Sequence, residues 1–154
     1  MEKQIDFYFD LVSPYSYIAS MLIEDVARRG NAKISWKPFL LGGVFKAVGT
    51  TEAPGLHPIK KPYLLKDLQR LSKHLKIPIT MPPDFPVRTV LAMRTLCGFN
   101  ADEIPQAAQT LYKAYWVNNQ DIADPEVVAS LVGRDAVERA GIQEIKDALF
   151  QSTE

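Results

Sequence analysis

The chain has 154 residues, 47% of them hydrophobic, with eighteen lysines and arginines balanced by eighteen aspartates and glutamates. That length and apolar share suit one ordinary domain with a continuous core, and zero net charge excludes the long-range field that draws a protein to nucleic acid or anionic lipid. No run of about eighteen apolar residues and no basic-then-apolar leader is seen, so no membrane association is expected and the expected setting is the cytoplasm, with an organelle as the alternative.

Residues 4 to 9 are rich in aromatic and β-branched types, and residues 33 to 38 alternate Ile34 and Trp36 with Lys33, Ser35 and Lys37, so each segment is predicted as a strand. Between them Ile18, Ala19, Leu22, Ile23, Val26 and Ala27 recur at helical spacing. Ser13 suits the N-cap of that helix, Pro14 its first turn and Gly30 its end. The result is a βαβ unit, whose strands are expected to run parallel.

Residues 41 to 62 hold Gly42, Gly43, Gly49 and Gly55 together with Pro54, Pro58 and Pro62. This predicts a long loop with no more than a short helical turn near Val44 to Val48, and a loop of that length in a compact domain usually binds or gates. Tyr63, Leu64, Leu68, Leu71 and Leu75 then follow a 3.6-residue period up to Ile77-Pro78. A proline-rich crossing from Pro78 to Pro86 leads to helices at about 87 to 97, 103 to 117 and, after the start signal Asp124-Pro125, 125 to 132. Ala107, Ala108, Leu111 and Tyr115 are expected to face inward. Short helices at 135 to 140 and 143 to 152 complete the series.

Two strands against this many helices are a poor balance, because an isolated parallel pair cannot bury both faces and satisfy both edges. The segment Ile142 to Glu154 also lacks a glycine cap or proline stop. The expectation is an incomplete domain whose further strands lie past Glu154 or come from a partner chain.

Cys97 falls on the apolar face Val90, Leu91, Met93 and Leu96, which makes it a structural thiol. One cysteine forms no internal disulfide, and no Cys or His cluster has ligand spacing, so no metal site is expected. Only two histidines exist, His57 in the loop and His74 near a helix end, and there is no Gly-x-Ser-x-Gly elbow, which argues against a serine hydrolase. Ser13-Pro14-Tyr15-Ser16 stands out instead. Strand, abrupt turn and helix N-terminus are where a thioredoxin-like protein keeps a Cys-x-x-Cys pair, and here both ends are serine. Unpaired N–H groups and the helix dipole favour an anion at that point. Together with a donated hydroxyl proton they could bring a thiol from about 8.5 to mostly ionised at neutral pH. Ser13 is the candidate donor. A plain capping role for Ser13 stands beside this one, and both can hold, because a capping serine uses its oxygen and keeps its proton. Tyr15, Tyr17, Trp36 and Phe39 lie near the same end of the strands, as core or as pocket, and Lys60 and Lys61 form a basic point beside the loop.

Phe7-Tyr8-Phe9-Asp10-Leu11-Val12-Ser13-Pro14-Tyr15-Ser16-Tyr17 resembles the opening of the 2-hydroxychromene-2-carboxylate isomerases and the kappa-class glutathione transferases. Gly55-Leu56-His57-Pro58-Ile59-Lys60, Tyr63 with Lys66-Asp67-Leu68-Gln69-Arg70, Ile77-Pro78-Ile79 and Pro83-Asp84-Phe85-Pro86 follow as landmarks in the same order. The resemblance implies an α/β, thioredoxin-like fold of the DsbA type with a large helical insertion. Residues 1 to 40 would then be the first half of the thioredoxin-like domain, 41 to 140 the insertion and 141 to 154 the start of the return helix. The second half, with its cis-proline strand, would be absent.

By position, Ser13 is similar to the serine that hydrogen-bonds the glutathione sulfur, and Lys60 to a lysine that helps hold the tripeptide. A loop asparagine of those families corresponds to Thr50, after Gly49, with Thr51 as the other candidate. The implied cofactor is glutathione, and the implied partners are a small aromatic or electrophilic substrate and a second copy of the chain. The activity implied first is a glutathione-dependent isomerase acting on an unsaturated aromatic acid, with a kappa-class transferase as the alternative and an inactive glutathione-binding module as a third reading. Thiol–disulfide exchange is disfavoured, because neither Ser13 nor Ser16 supplies a sulfur.

Overall fold

The computed structural model describes residues 3–50, 53 and 55–154. Strand β1 (Lys3–Phe9) leads through helix α1 (Pro14–Gly30) to strand β2 (Ala32–Pro38). The two pair in parallel from Lys3 opposite Ala32 to Phe9 opposite Pro38, as their flanking helix requires. Among the described residues they form a two-stranded sheet. Among the described residues seven helices follow: α2 (Leu41–Ala47), α3 (Lys60–Leu75), α4 (Val90–Cys97), α5 (Ile104–Trp116), α6 (Pro125–Val132), α7 (Arg134–Arg139) and α8 (Gln143–Thr153).

Helix α1 starts as its sequence signals indicate. Ser13 is the N-cap and Pro14 occupies the first turn. Its end differs by one residue: Gly30 is still helical, and Asn31 takes the left-handed conformation (φ 49°). Asparagine tolerates that region better than any other side chain of its size, so glycine is not needed there.

The loop expected over 41 to 62 holds more helix than its breakers suggested. Helix α2 runs from Leu41 through both Gly42 and Gly43, because a first turn leaves its N–H groups free in any case. Gly43 is there for contact: a Cβ on it would stand 2.8 Å from Thr153 Cγ2 of α8. Gly49 (φ 74°) then closes α2. The Gly49 N–H donates to the Lys46 carbonyl at 3.3 Å and the Thr50 N–H to the Phe45 carbonyl at 2.8 Å, a Schellman ending. Helix α3 likewise begins at Lys60 rather than Tyr63, since Pro62 sits within the first turn, where its missing N–H costs nothing. Helix α4 starts later than expected, at Val90.

One contiguous cluster forms the core, and rings run through it. Trp36 meets Phe7 edge-on at 4.9 Å and Phe9 at 5.3 Å. Phe9 reaches Tyr112 of α5, and Tyr112 reaches Tyr17 of α1 at 5.7 Å. Tyr17 stacks on Trp116, which touches Phe85 at 5.8 Å. Sheet, α1, α5 and the proline-rich crossing are thus joined by aromatic contacts, each adding about 0.5 to 1.5 kcal/mol beyond area burial. Helix α5 buries Ala107, Ala108, Leu111 and Tyr115 as anticipated, and Trp116 as well.

Candidate functional site

A cleft of about 440 Å³ opens beyond the carboxyl ends of β1 and β2, within the range of roughly 300 to 1,000 Å³ usual for small-molecule sites. Val12, Ser13, Pro14 and Tyr15 supply one wall, and Leu40, Leu41, Gly43 and Phe45 supply another. Ala53, Gly55 and Leu56, with Leu64 of α3, line a third side. Phe85 to Val90 close the fourth, a segment in which the Phe85–Pro86 peptide is cis.

Ser13 lies on this wall in extended backbone (φ −87°, ψ 118°) and its Oγ accepts the Ser16 N–H at 3.2 Å. Its hydroxyl proton goes to no acceptor among the described residues. The Tyr17 N–H bonds the Ser13 carbonyl at 3.1 Å and Pro14 has no N–H, so Tyr15 keeps the one unengaged N–H of the first turn among the described residues. Hydroxyl and amide together make a small pair of donors at the positive end of α1. The Tyr15 hydroxyl is turned away from them and donates to Asp67 Oδ2 of α3 at 2.7 Å. Partial burial and the Asp67 carboxylate push its pKa up to about 12, so it remains a donor at physiological pH.

The turn that presents Ser13 is pinned from below. The Ser13 N–H donates to the Asp10 carbonyl at 3.0 Å, the Trp116 Nε1–H to the Leu11 carbonyl at 2.9 Å, and the Tyr112 hydroxyl reaches the Asp10 carbonyl at 3.4 Å. Asp10, 1% exposed, is a residue that sequence reasoning quoted but gave no role. Its carboxylate accepts from the Val12 N–H (3.1 Å), the Leu41 N–H (2.9 Å) and the Thr89 hydroxyl (2.8 Å). It thereby ties the end of β1 to the starts of α2 and α4. Burial pushes its carboxyl above the usual range, opposed by the hydrogen bonds from Leu41, Val12 and Thr89. An acid directly after an apolar strand was the available signal.

Of the other sequence candidates, Lys60 is exposed at the first position of α3 and does not line the cleft. It stands one turn before Leu64, which does, so its stem shares that helix face. Thr50 is exposed at the end of the α2 cap and is also off the cleft wall; its N–H is spent on Phe45, which leaves the side chain free of that duty. Thr51 lies outside the described residues. Cys97 is half-buried on α4 and burial pushes its thiol up to about 11. Among the described residues no cluster of His, Cys, Asp and Glu could hold a metal. No described helix is long and apolar enough to cross a membrane.

Residues 4–149 match the DSBA-like thioredoxin domain, and the chain belongs to that family. Its relatives include human glutathione S-transferase kappa 1, which is 29% identical across the whole chain, the chain covering 75% of that protein. The 2-hydroxychromene-2-carboxylate isomerase of Sphingobium xenophagum is 34% identical over 55% of the chain and 44% of its own length. A solved structure of a 2-hydroxychromene-2-carboxylate isomerase superposes with a TM-score of 0.83 at 22% identity, covering 97% of this chain and 77% of that one, which establishes the shared fold.

Proposed function

We propose that this protein is a glutathione-dependent isomerase similar to the 2-hydroxychromene-2-carboxylate isomerases, with Ser13 holding the glutathione sulfur as a thiolate. The observation that carries the reading is the Ser13 hydroxyl. Its oxygen is used by the helix cap, its proton is left for a ligand, and it faces an apolar cleft. The residues present suit the group. A thiolate accepts hydrogen bonds and donates none, and the Ser13 O–H and Tyr15 N–H are both donors at a helix N-terminus. Asp10 borders the same cleft, where negative charge would oppose a thiolate; its three donors and the burial that favours its protonated form reduce that opposition.

Glutathione, when bound, would supply a nucleophilic thiolate able to add reversibly to an unsaturated acid. Ser13 keeps the sulfur deprotonated, the dipole of α1 adds about 0.5 to 2 kcal/mol, and the charge-assisted hydroxyl bond about 1.5 to 3 kcal/mol. Apolar walls from Leu41, Phe45, Leu56 and Phe85 would strengthen both effects where a bound ligand displaces water from them. In this reading Lys60 and the Thr50 side chain reach over the rim to the tripeptide. The reading also includes a homodimer in the cytoplasm, which light scattering of the purified protein and fluorescent tagging in cells test separately.

A kappa-class transferase is the second reading, favoured by the extent of similarity: the human transferase aligns with the whole chain and the isomerase from Sphingobium with 55% of it. Ser13 does the same work in either. Ultraviolet titration of bound glutathione is the direct experiment. The thiol pKa is expected well below its free value in the native protein and higher by at least about one in Ser13→Ala; equal values in the two proteins would overturn the assignment. Retention on immobilised glutathione without thiol-dependent turnover would leave only a binding module.

A further inference from the structure

Among the described residues, two ionisable side chains stand on the cleft wall, Asp10 and Arg88. Asp10 is committed: three donors occupy its oxygens, and Arg88 is not among them. Arg88 is exposed and, among the described residues, has neither an ion pair nor a hydrogen bond. A guanidinium without a partner among the described residues, beside the apolar side chains of this cleft, is an unmet demand for an anion once a ligand displaces the water around it.

Its backbone is held firmly although its side chain is not. On one side the Val87 N–H donates to the Tyr115 hydroxyl at 3.4 Å, and on the other the Thr89 hydroxyl donates to Asp10 Oδ1 at 2.8 Å. Asp10 also fixes the Ser13 turn, through the Ser13 N–H on its carbonyl. One buried residue therefore sets the spacing between the Ser13 hydroxyl and the root of Arg88.

We propose that Arg88 is the specificity-determining residue of the cleft, its guanidinium pairing with the acid group of an apolar ligand whose ring system lies against Leu41, Phe45 and Phe85. The inference deepens the isomerase reading and rests on it for what happens at Ser13. A carboxylate in this position could belong to the apolar ligand or to glutathione; the pairing chemistry is the same, and the two sources separate experimentally.

Calorimetric titration with 2-naphthoate and with its neutral counterpart 2-naphthamide, in the absence of glutathione, is the test. The native protein is expected to prefer the acid by about five- to twentyfold, a preference that shrinks as salt is added. Arg88→Met should abolish the preference while leaving the amide affinity within about twofold, and Arg88→Lys should retain part of it, because lysine keeps the charge and loses the planar fork. Unchanged melting of Arg88→Met is expected from an exposed, unbonded side chain and shows that folding is intact. The preference is read without glutathione, so it does not depend on the state of a thiol at Ser13. The proposal therefore survives failure of the thiolate assignment, and the thiolate assignment survives failure of this one. Equal binding of naphthoate by native protein and Arg88→Met would overturn it. So would a loss of glutathione affinity in Arg88→Met with naphthoate binding unchanged, which would assign the guanidinium to glutathione.

Discussion

The cap that Ser13 forms and the thiolate role proposed for it can be separated by a pair of substitutions. Ser13→Ala removes the acceptor for the Ser16 N–H and should cost about 1 kcal/mol in urea denaturation. Ser13→Asp restores an acceptor and hence the cap, but it brings a negative charge and no proton, so stability should recover while the pKa of bound glutathione stays high. Recovery of both would mean that the hydroxyl proton is not what the sulfur needs. Cys97 offers a contrast: with its thiol at about 11, only about one molecule in a thousand is thiolate at about pH 8, and iodoacetamide labelling should be slow until urea exposes the side chain. Asp10 gives a pH signature. Its folded pKa lies above the ordinary value, so its contribution to stability is fully present below about pH 4 and is lost as pH rises through the elevated pKa. Stability measured against pH should therefore fall over that rise in the native protein, and Asp10→Asn should lack that part of the slope. Ser13 was legible because cap, proline and helix are neighbours in sequence. Asp10 was not, because the Leu41 and Thr89 groups that define it are 31 and 79 positions away.

At the scale of elements, glycine proved ambiguous. The run of glycine and prolines over 41 to 62 signalled breaks, and Gly49 is one; Gly43 instead marks a close approach of α2 to α8, which no local pattern records. Gly55 is of the second kind. A Cβ there would stand 2.6 Å from Phe85 Cε1 and 3.0 Å from Cζ, both residues lining the cleft. Gly55→Ala should displace the ring at a cost of about 1 to 3 kcal/mol and weaken naphthamide binding; an unchanged melting temperature and affinity would show that Phe85 yields freely. The start of α3 at Lys60 has the same moral, since a proline stops a helix only past its first turn.

Across the whole molecule, periodicity revealed the parallel pair and most of the helices, because amphipathic spacing is a local property. It could not reveal that rings from five segments meet, nor that Trp116, three residues past Lys113 and at the very end of α5, is fully buried beneath the Ser13 turn. Trp116→Phe keeps the ring and deletes the donor to the Leu11 carbonyl. Leaving that carbonyl without its partner should cost about 1 to 3 kcal/mol in urea denaturation. On the proposed reading it should also loosen the turn enough to raise the pKa of bound glutathione; stability lost with that pKa unmoved would show that the turn holds without its indole.

The ties at the end of β2 have a consequence for motion. The Leu40 N–H donates to Thr153 Oγ1 and the Leu41 N–H to Asp10 Oδ2, partners 113 and 31 residues distant. Neither amide belongs to a helix or sheet ladder, so neither is shielded by local fraying or its absence. In deuterated solvent both should exchange only when distant parts of the chain separate, which makes two adjacent amides a clock for breathing of the floor of the cleft.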